Sequence, residues 1–251
     1  QMQALMMKSQ LMISNILKHA EKNYPLREIV SVTADNPRHR YTYKDFAVRS
    51  RQLANALNSI GAQFGDRIGT LAWNDYRHLE LYYAISGSGM VCHTINPKLF
   101  PEQVTYIINH AEDRFIFVDV LVMPLIEALA PQLSNVEAFI VLTNKANMPE
   151  TNLENVLCYE ELIADKSSEF EWPEFDENTA SGMCYTSGTT GNPKGVVYSH
   201  RSTLLHAFAG ALPDVTNSSS RETCLPVVPM FHVNAWGLPF GTIMTGTKVN
   251  K

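Results

Sequence analysis

The chain alternates between short apolar runs and longer segments whose apolar residues recur at helical spacing. Four apolar runs predict buried strands, at 67–72, 90–94, 115–119 and 138–143. Three segments between and beside them predict helices, at 78–86, 101–110 and 121–130. Repeated strand–helix units with short connections favour a largely parallel sheet that is covered by helices on both faces. The predicted fold class is therefore α/β.

Local sequence signals predict where some helices begin and end. Thr42 and Asp45 have the spacing of a capping box, and the helical pattern that follows stops at Gly61. Near the start of the chain, apolar residues at roughly helical spacing predict an amphipathic first helix, namely Leu5, Leu11, Met12, Ile16 and Leu17. This helix would cover a core or the partner subunit of a homodimer, with peripheral contact to a membrane as a weaker alternative.

The pattern also suggests two parts. Residues 144–176 are more polar and end in an acidic stretch, which predicts a surface connection or the seam between two lobes. We therefore predict a first α/β subdomain over residues 1–176 and the beginning of a second over residues 177–251. The second part is expected to contain strands at 181–186, 195–198 and 223–228 and a helix at about 200–212.

Composition excludes some classes of protein. The chain has 251 residues, of which 45% are hydrophobic and 18% charged, so it can bury a sizeable core. Its formal net charge of −5 gives no electrostatic support for nucleic-acid binding. The four cysteines are widely spaced, which predicts reduced, mostly buried thiols. No signal-peptide pattern and no transmembrane run is found in the sequence, so we expect a cytoplasmic protein.

The most informative stretch is 185–195, which combines glycines, four serine and threonine hydroxyls and a lysine. Glycines let backbone N–H groups approach an anion, and the lysine adds a mobile positive charge, so the stretch predicts a phosphate-binding loop. The familiar P-loop pattern has glycine before its lysine and a hydroxyl after it, but Pro193 and Gly195 flank Lys194 here. An ordinary P-loop NTPase is therefore disfavoured, and a flexible surface turn is the alternative.

Residues 185–201 resemble the signature of the adenylate-forming superfamily, which comprises acyl-CoA synthetases, adenylation domains and luciferases. A second block, 228–237, resembles the next motif in the form found in medium- and long-chain fatty acyl-CoA synthetases. Residues 66–74 and 93–100 are similar to the N-terminal region of the same enzymes. The resemblance thus covers nearly the whole chain, although such enzymes are roughly twice as long. It implies the N-terminal portion of the large domain, unable alone to complete thioester formation.

The resemblance implies a fatty acid–CoA ligase that forms acyl-AMP and pyrophosphate from ATP and then transfers the acyl group to CoA, with Mg²⁺ as cofactor. It places the contacts to the ATP phosphates at Thr186, Ser187, Gly188, Thr189, Thr190, Gly191 and Lys194. Of these, the Thr186 hydroxyl would contact Mg²⁺ or its ligands. Lys194 would have a catalytic role, stabilising the charge that grows on the leaving group.

The second motif implies an acyl site at His232, Val233 and Trp236. His232 would position the carboxylate, although a histidine in so apolar a setting is more often structural when taken alone. Trp236 would gate the acyl tunnel, and the alternative is a core aromatic residue. If this segment were helical, His232 and Trp236 would share a face.

Two other functions stay open at this point. One is a ligase of the same superfamily that activates an aryl acid or an amino acid. The other is a non-catalytic module that binds nucleotide or acyl chains or serves as an interaction domain. A dinucleotide-binding fingerprint at Gly87 and Gly89 is rejected, because Cys92 stands where the third glycine is needed.

Overall fold

The structure is a computed structural model, and it describes residues 2–186 and 191–251. The helices are α1 (Ile13–Asn23), α2 (Tyr43–Ser59), α3 (Tyr76–Gly87), α4 (Pro101–Ala111), α5 (Met123–Leu129), α6 (Tyr159–Ala164), α7 (His200–Gly210) and α8 (Leu238–Met244). The strands are β1 (Glu28–Ser31), β2 (His39–Thr42), β3 (Arg67–Leu71), β4 (Val91–Thr94), β5 (Phe115–Asp119), β6 (Ala138–Leu142), β7 (Val156–Cys158), β8 (Ala180–Thr186), β9 (Lys194–Ser199), β10 (Thr223–Cys224) and β11 (Lys248–Asn250).

Within the described residues the strands form two sheets. The larger has the order β7-β6-β5-β3-β4-β8-β9, and every neighbouring pair is parallel except β8 and β9. The smaller has the order β10-β11-β1-β2. Because β11 pairs in parallel with β1, the smaller sheet joins the two ends of the chain. The prediction of an α/β fold with a largely parallel sheet is confirmed.

Both faces of the large sheet are covered, as expected for parallel strands. In β5, Phe115 and Phe117 belong to the apolar cluster that contains residues of α1, α2 and α3. Ile116 and Val118, which alternate with them, belong to the cluster formed with α4 and α5. The strand therefore reads as a continuous apolar run, since neither of its faces meets water.

Two predicted boundaries are wrong. The first helix begins at Ile13, and Leu5 lies outside it with its side chain fully exposed. Residues 2–9 are exposed, and packing against the core starts with Leu11 and Met12, directly before the helix. The predicted strand 223–228 is reduced to Thr223–Cys224, because Pro226 has no N–H to donate to a neighbouring strand.

The polar stretch 144–176 is more structured than a surface connection. It supplies β7, an edge strand of the large sheet, and α6. Trp172 is buried against α3, where a Cβ added to Gly87 would lie 2.7 Å from the indole ring. The two predicted subdomains contribute strands to both sheets, and a division after residue 176 stays a prediction.

The four cysteines are free, and Cys92, Cys158 and Cys184 are buried, as predicted. In residues 2–186 and 191–251, every helix is too short or too polar to cross a bilayer.

A group of hydrogen bonds fastens the start of α1 to the start of α7. The backbone N–H of Ile13 donates to Nδ1 of His200 at 3.1 Å, and the N–H of Leu11 donates to the Glu177 carboxylate at 2.8 Å. Glu177 is also paired with Arg201. Burial lowers the pKa of His200 to about 4, which keeps its ring neutral and able to accept the bond from Ile13.

This lowered pKa predicts a pH-dependent stability. Because the unfolded chain binds a proton at His200 more readily than the folded chain, unfolding becomes easier as the pH falls from about 6.5 towards 4. The isosteric His200→Asn substitution keeps an acceptor for the Ile13 N–H but has no proton to gain. We expect it to reduce the loss of unfolding free energy between about pH 7 and pH 5 by about 1–2 kcal/mol, measured by urea denaturation.

The matched control is His19→Asn on the exposed side of α1, which should leave the pH dependence unchanged. Equal pH dependence in the His200→Asn variant and the parent protein would contradict the role of His200.

Candidate functional site

Three neighbouring strands end together at one edge of the large sheet. Strands β3, β4 and β8 are adjacent and parallel, so Leu71, Thr94 and Thr186 lie at the same carboxyl edge. In open α/β sheets, ligands bind at this edge. Both sequence motifs are brought here by the fold, the first by β8 directly and the second by side-chain contacts.

The predicted phosphate loop is the connection of an antiparallel hairpin. Strand β8 enters it at Thr186 and β9 leaves it at Lys194, and these two residues are direct partners in the pairing. Their side chains are exposed, as is Gly191, whose φ of 94° is in the left-handed region that favours glycine. The remaining predicted phosphate contacts, Ser187, Gly188, Thr189 and Thr190, lie outside the described residues.

Tyr185 supports the base of this hairpin. Its hydroxyl is hydrogen-bonded to Nδ1 of His110 at 2.7 Å, and its ring packs closely on Gly195, where an added Cβ would lie 3.1 Å from a ring carbon. Burial raises the pKa of Tyr185 to about 12, so its hydroxyl stays protonated. Sequence reasoning missed His110, which precedes Tyr185 by 75 residues and has no local signal.

The second motif crosses the sheet edge as irregular backbone that is held by Asn74. The side-chain amide of Asn74 donates to the carbonyl oxygens of Pro226 at 3.1 Å and Val228 at 2.9 Å. The backbone N–H of Met230 donates to Oδ1 of Asn74 at 2.6 Å. The hydroxyl of Tyr82 donates to the carbonyl of Met230. Asn74 thus replaces the strand partners that this proline-containing segment lacks, and sequence reasoning did not single it out.

His232 lies in the same segment, shortly after Met230, and has an exposed side chain. Its neighbour Phe231 is buried and packs edge-on against Trp73, with 5.7 Å between ring centroids. Phe231 therefore anchors the motif, while the imidazole of His232 faces solvent and is accessible to a ligand.

Residues 233–237 form a left-handed turn, so the idea that His232 and Trp236 share a helical face is wrong. Val233, Asn234, Ala235 and Trp236 have φ values of 46°, 48°, 50° and 55°, and Gly237 follows at 79°. For non-glycine residues the left-handed conformation costs roughly 1–2 kcal/mol each, so surrounding contacts must hold it. The His206 side chain packs so closely on Gly237 that an added Cβ would lie 2.5 Å from its Nδ1, which leaves room there for glycine alone.

The turn forms one wall of a cavity of about 330 Å³. Its lining residues come from β9, α7, the turn and α8, and they are Tyr198, Ser202, Thr203, His206, Val233, Asn234, Trp236, Gly237 and Phe240. The structure thus brings the predicted acyl residues Val233 and Trp236 to one cavity, with Trp236 exposed over 61% of its surface. His232 precedes the turn but is not part of the wall. A wider groove of about 750 Å³ along Lys18, Arg51 and residues 168–172 contains none of the predicted site residues.

Residues 17–250 match the family model described as AMP-binding enzyme. The chain belongs to this family. The hairpin loop, the motif at His232 and the sheet edge that carries them all lie within the matched residues.

Two CoA ligases are similar to this chain over nearly all of its residues. The chain is 49% identical over 244 residues to the medium-chain-fatty-acid–CoA ligase of Ectopseudomonas oleovorans, covering 97% of this chain and 45% of the relative. It is 51% identical over 244 residues to the 3-methylmercaptopropionyl-CoA ligase of Ruegeria lacuscaerulensis, with the same coverage of 97% and 45%. The chain therefore spans a little under half the length of these relatives.

The fold agrees with a solved structure. The long-chain-fatty-acid–CoA ligase from Archaeoglobus fulgidus superposes with a TM-score of 0.84 over 98% of this chain and 48% of that one. At 20% identity this likeness supports the fold alone.

The contacts of Asn74 generate a prediction about stability. Asn74→Asp preserves the shape of the side chain but removes both donated bonds and places a carboxylate against the carbonyl oxygens of Pro226 and Val228. We expect the free energy of unfolding to fall by about 1–3 kcal/mol, the usual cost of leaving such groups unpaired. Hydrogen exchange at the Met230 amide should also become faster.

Asn96→Asp is a matched control at the same sheet edge, because within residues 2–186 and 191–251 the Asn96 side chain accepts a bond from the N–H of Lys98 at 2.9 Å and donates none. If Asn74→Asp were as stable as Asn96→Asp, and the Met230 amide equally protected, the role of Asn74 would be refuted.

Proposed function

We propose that this chain supplies the ATP-phosphate and acyl sites of an AMP-forming ligase that joins a medium- or long-chain fatty acid to CoA. The observation that carries the proposal is a juxtaposition. A hairpin with exposed Thr186 and Lys194 and a partly open cavity lined by Trp236 are both built on β9 and its neighbours. Relatives that are named for CoA ligation of a fatty acid and of 3-methylmercaptopropionate support this assignment, since both acyl groups are aliphatic.

Adenylation requires two anions to meet. A carboxylate oxygen attacks the α-phosphorus of ATP, the new P–O bond forms, and pyrophosphate leaves with the electron pair of the broken bond. The ammonium of Lys194 is free to move with its exposed side chain and would neutralise the charge that grows on the pyrophosphate. His232 would hold the carboxylate by donating a hydrogen bond from its exposed ring. In the second step the CoA thiolate attacks the acyl carbonyl carbon and AMP leaves.

The residues at this site could supply few of the ligands of a bound Mg²⁺ ion. It prefers oxygen ligands and commonly binds through substrate phosphates with few protein groups, and the exposed hydroxyl of Thr186 offers such an oxygen. Residues 2–186 and 191–251 contain no cluster of three or more His, Cys, Asp or Glu side chains that could hold a metal ion. The ATP phosphates would therefore be its main ligands, and the ion would supply charge neutralisation there.

The cavity wall favours an aliphatic acyl chain. Val233, Trp236 and Phe240 present apolar surface, while Ser202 and Thr203 add hydroxyl groups. A flat aromatic side chain such as Trp236, with most of its surface exposed at the wall, suits the role of a gate for the acyl chain. Cytoplasmic location, a homodimer through the N-terminal region and peripheral membrane contact stay predictions.

The phosphate role is tested by Lys194→Ala in the complete enzyme. Loss of a positioned cation that stabilises developing charge typically costs about 100-fold or more in rate, so acid-dependent exchange of pyrophosphate into ATP should fall by at least that factor. Lys145→Ala, which removes a lysine with an 83% exposed side chain, should leave the exchange rate unchanged. Full exchange activity in Lys194→Ala would contradict the proposed role. A parent enzyme with no acid-dependent exchange would contradict the function itself.

The acyl role is tested by Trp236→Ala. Removing the indole should enlarge the cavity and shift the preferred fatty acid towards longer or bulkier chains, because side-chain volume at a pocket wall sets which substrates fit. The measurement is kcat/KM across saturated acids from short to long, with Trp236→Phe as the conservative control. An unchanged preference profile in Trp236→Ala would exclude the gate.

A further inference from the structure

The left-handed turn at residues 233–237 needs contacts that hold its backbone. Four consecutive non-glycine residues, Val233 to Trp236, have positive φ, including a β-branched valine. Such a conformation persists only where the surrounding structure determines it. Since the same turn presents Val233 and Trp236 to the cavity, whatever holds the turn also determines the shape of the cavity wall.

Asn234 is the polar member of the turn whose side chain reaches towards the sheet, next to the fully buried Ala235. Its Oδ1 accepts a hydrogen bond from the Thr94 hydroxyl at 3.3 Å. The Tyr82 hydroxyl oxygen lies 3.4 Å from the same Oδ1, but its proton is donated to the Met230 carbonyl. Thr94 and Tyr82 are both buried, with 2% of their surface exposed. The amide nitrogen of Asn234 lies 3.4 Å from the position that a Cβ on Gly182 would occupy. The side chain therefore sits among β4, β8 and α3.

We propose that Asn234 is a positioning residue that fastens the left-handed turn to the sheet and thereby sets the positions of Val233 and Trp236 at the cavity wall. Asparagine suits this position for two reasons: it tolerates positive φ better than most residues, and its amide oxygen accepts a hydrogen bond from the buried Thr94 hydroxyl. The effect on acid binding rests on the proposed function of the cavity. The effect on the turn does not.

The mechanism is preorganisation. With Asn234 fastened, the cavity wall exists before the acid binds, and no binding energy is spent on ordering the turn. Without the bond to Thr94, the backbone can leave the left-handed region, and Trp236 moves with it. The dissociation constant of an acid that binds against Trp236 then rises.

Two substitutions separate the backbone preference of Asn234 from its side-chain contacts. Asn234→Gly keeps the freedom to adopt positive φ but removes the hydrogen bond to Thr94. Thr94→Val removes the donor of that bond without altering the turn itself. Thr70→Val is the matched control, since Thr70 is the direct cross-strand partner of Thr94, is equally buried, and bonds to His78 rather than to the turn.

The experiment uses fluorine NMR of protein labelled with fluorotryptophan, in which Trp236→Phe identifies the Trp236 resonance. Asn234→Gly and Thr94→Val should each shift or broaden this resonance, and Thr70→Val should not. Titration with dodecanoate should give a dissociation constant that is raised about two- to tenfold in both variants, the range expected for loss of one hydrogen bond. Thr94→Ser, which retains the hydroxyl, should restore the parent spectrum.

An unchanged Trp236 resonance in both Asn234→Gly and Thr94→Val would overturn the positioning role. Equal disturbance by Thr70→Val would also overturn it, because the effect would then come from the sheet. If dodecanoate left every resonance of the parent protein unchanged, the proposed acyl function of the cavity would fail, while the comparison of variants without acid would still decide the role of Asn234.

Discussion

The segment that crosses the carboxyl edge of the sheet before His232 is irregular, so its backbone N–H and carbonyl groups need hydrogen-bond partners other than a neighbouring strand. The position of the candidate site depends on these partners. Pro226 and Pro229 prevent the segment from joining a strand ladder, since neither has an N–H. Asn74 meets the need with three hydrogen bonds, and Tyr82 adds a fourth at Met230. These contacts determine where His232 lies and where the left-handed turn begins.

The topology explains why a polar and an apolar site are neighbours. Strand β8 lies beside β4 in the parallel part of the sheet and forms an antiparallel hairpin with β9. The predicted phosphate loop, which connects these two strands, therefore lies at the same sheet edge as the second motif. Helix α7, which follows β9, forms the opposite wall of the cavity through Ser202, Thr203 and His206. One hairpin and the helix after it therefore contribute residues to both parts of the candidate site.

Much of the fold could be predicted from sequence because its parallel strands are buried on both faces and read as apolar runs. The capping box at Thr42 and the predicted helix that follows it are confirmed, since both signals are local. The failures have tertiary causes. The start of α1 depends on which residues meet apolar surface, and the shortened β10 depends on where a proline-containing segment finds its hydrogen-bond partners.

The candidate site could be predicted only where its residues belong to a contiguous motif. Thr186, Lys194, His232 and Trp236 were recognisable from their neighbours in sequence, although their roles stay proposals. Asn74 lies 156 residues from Met230, and Thr94 lies 140 residues from Asn234. No pattern along the chain joins such pairs, and the left-handed turn that they support looks like the beginning of an ordinary helix in the sequence.

In the proposed function, the cavity lined by Trp236 receives the acyl chain. This placement can be measured by photoaffinity labelling with a diazirine derivative of dodecanoic acid, followed by mass spectrometry of the labelled peptides. We expect labels within residues 198–206 and 233–240, which supply the cavity wall, and loss of those labels when excess dodecanoate competes. Competable labelling of the open groove along residues 168–172, with the cavity unlabelled, would show that the acyl chain binds elsewhere.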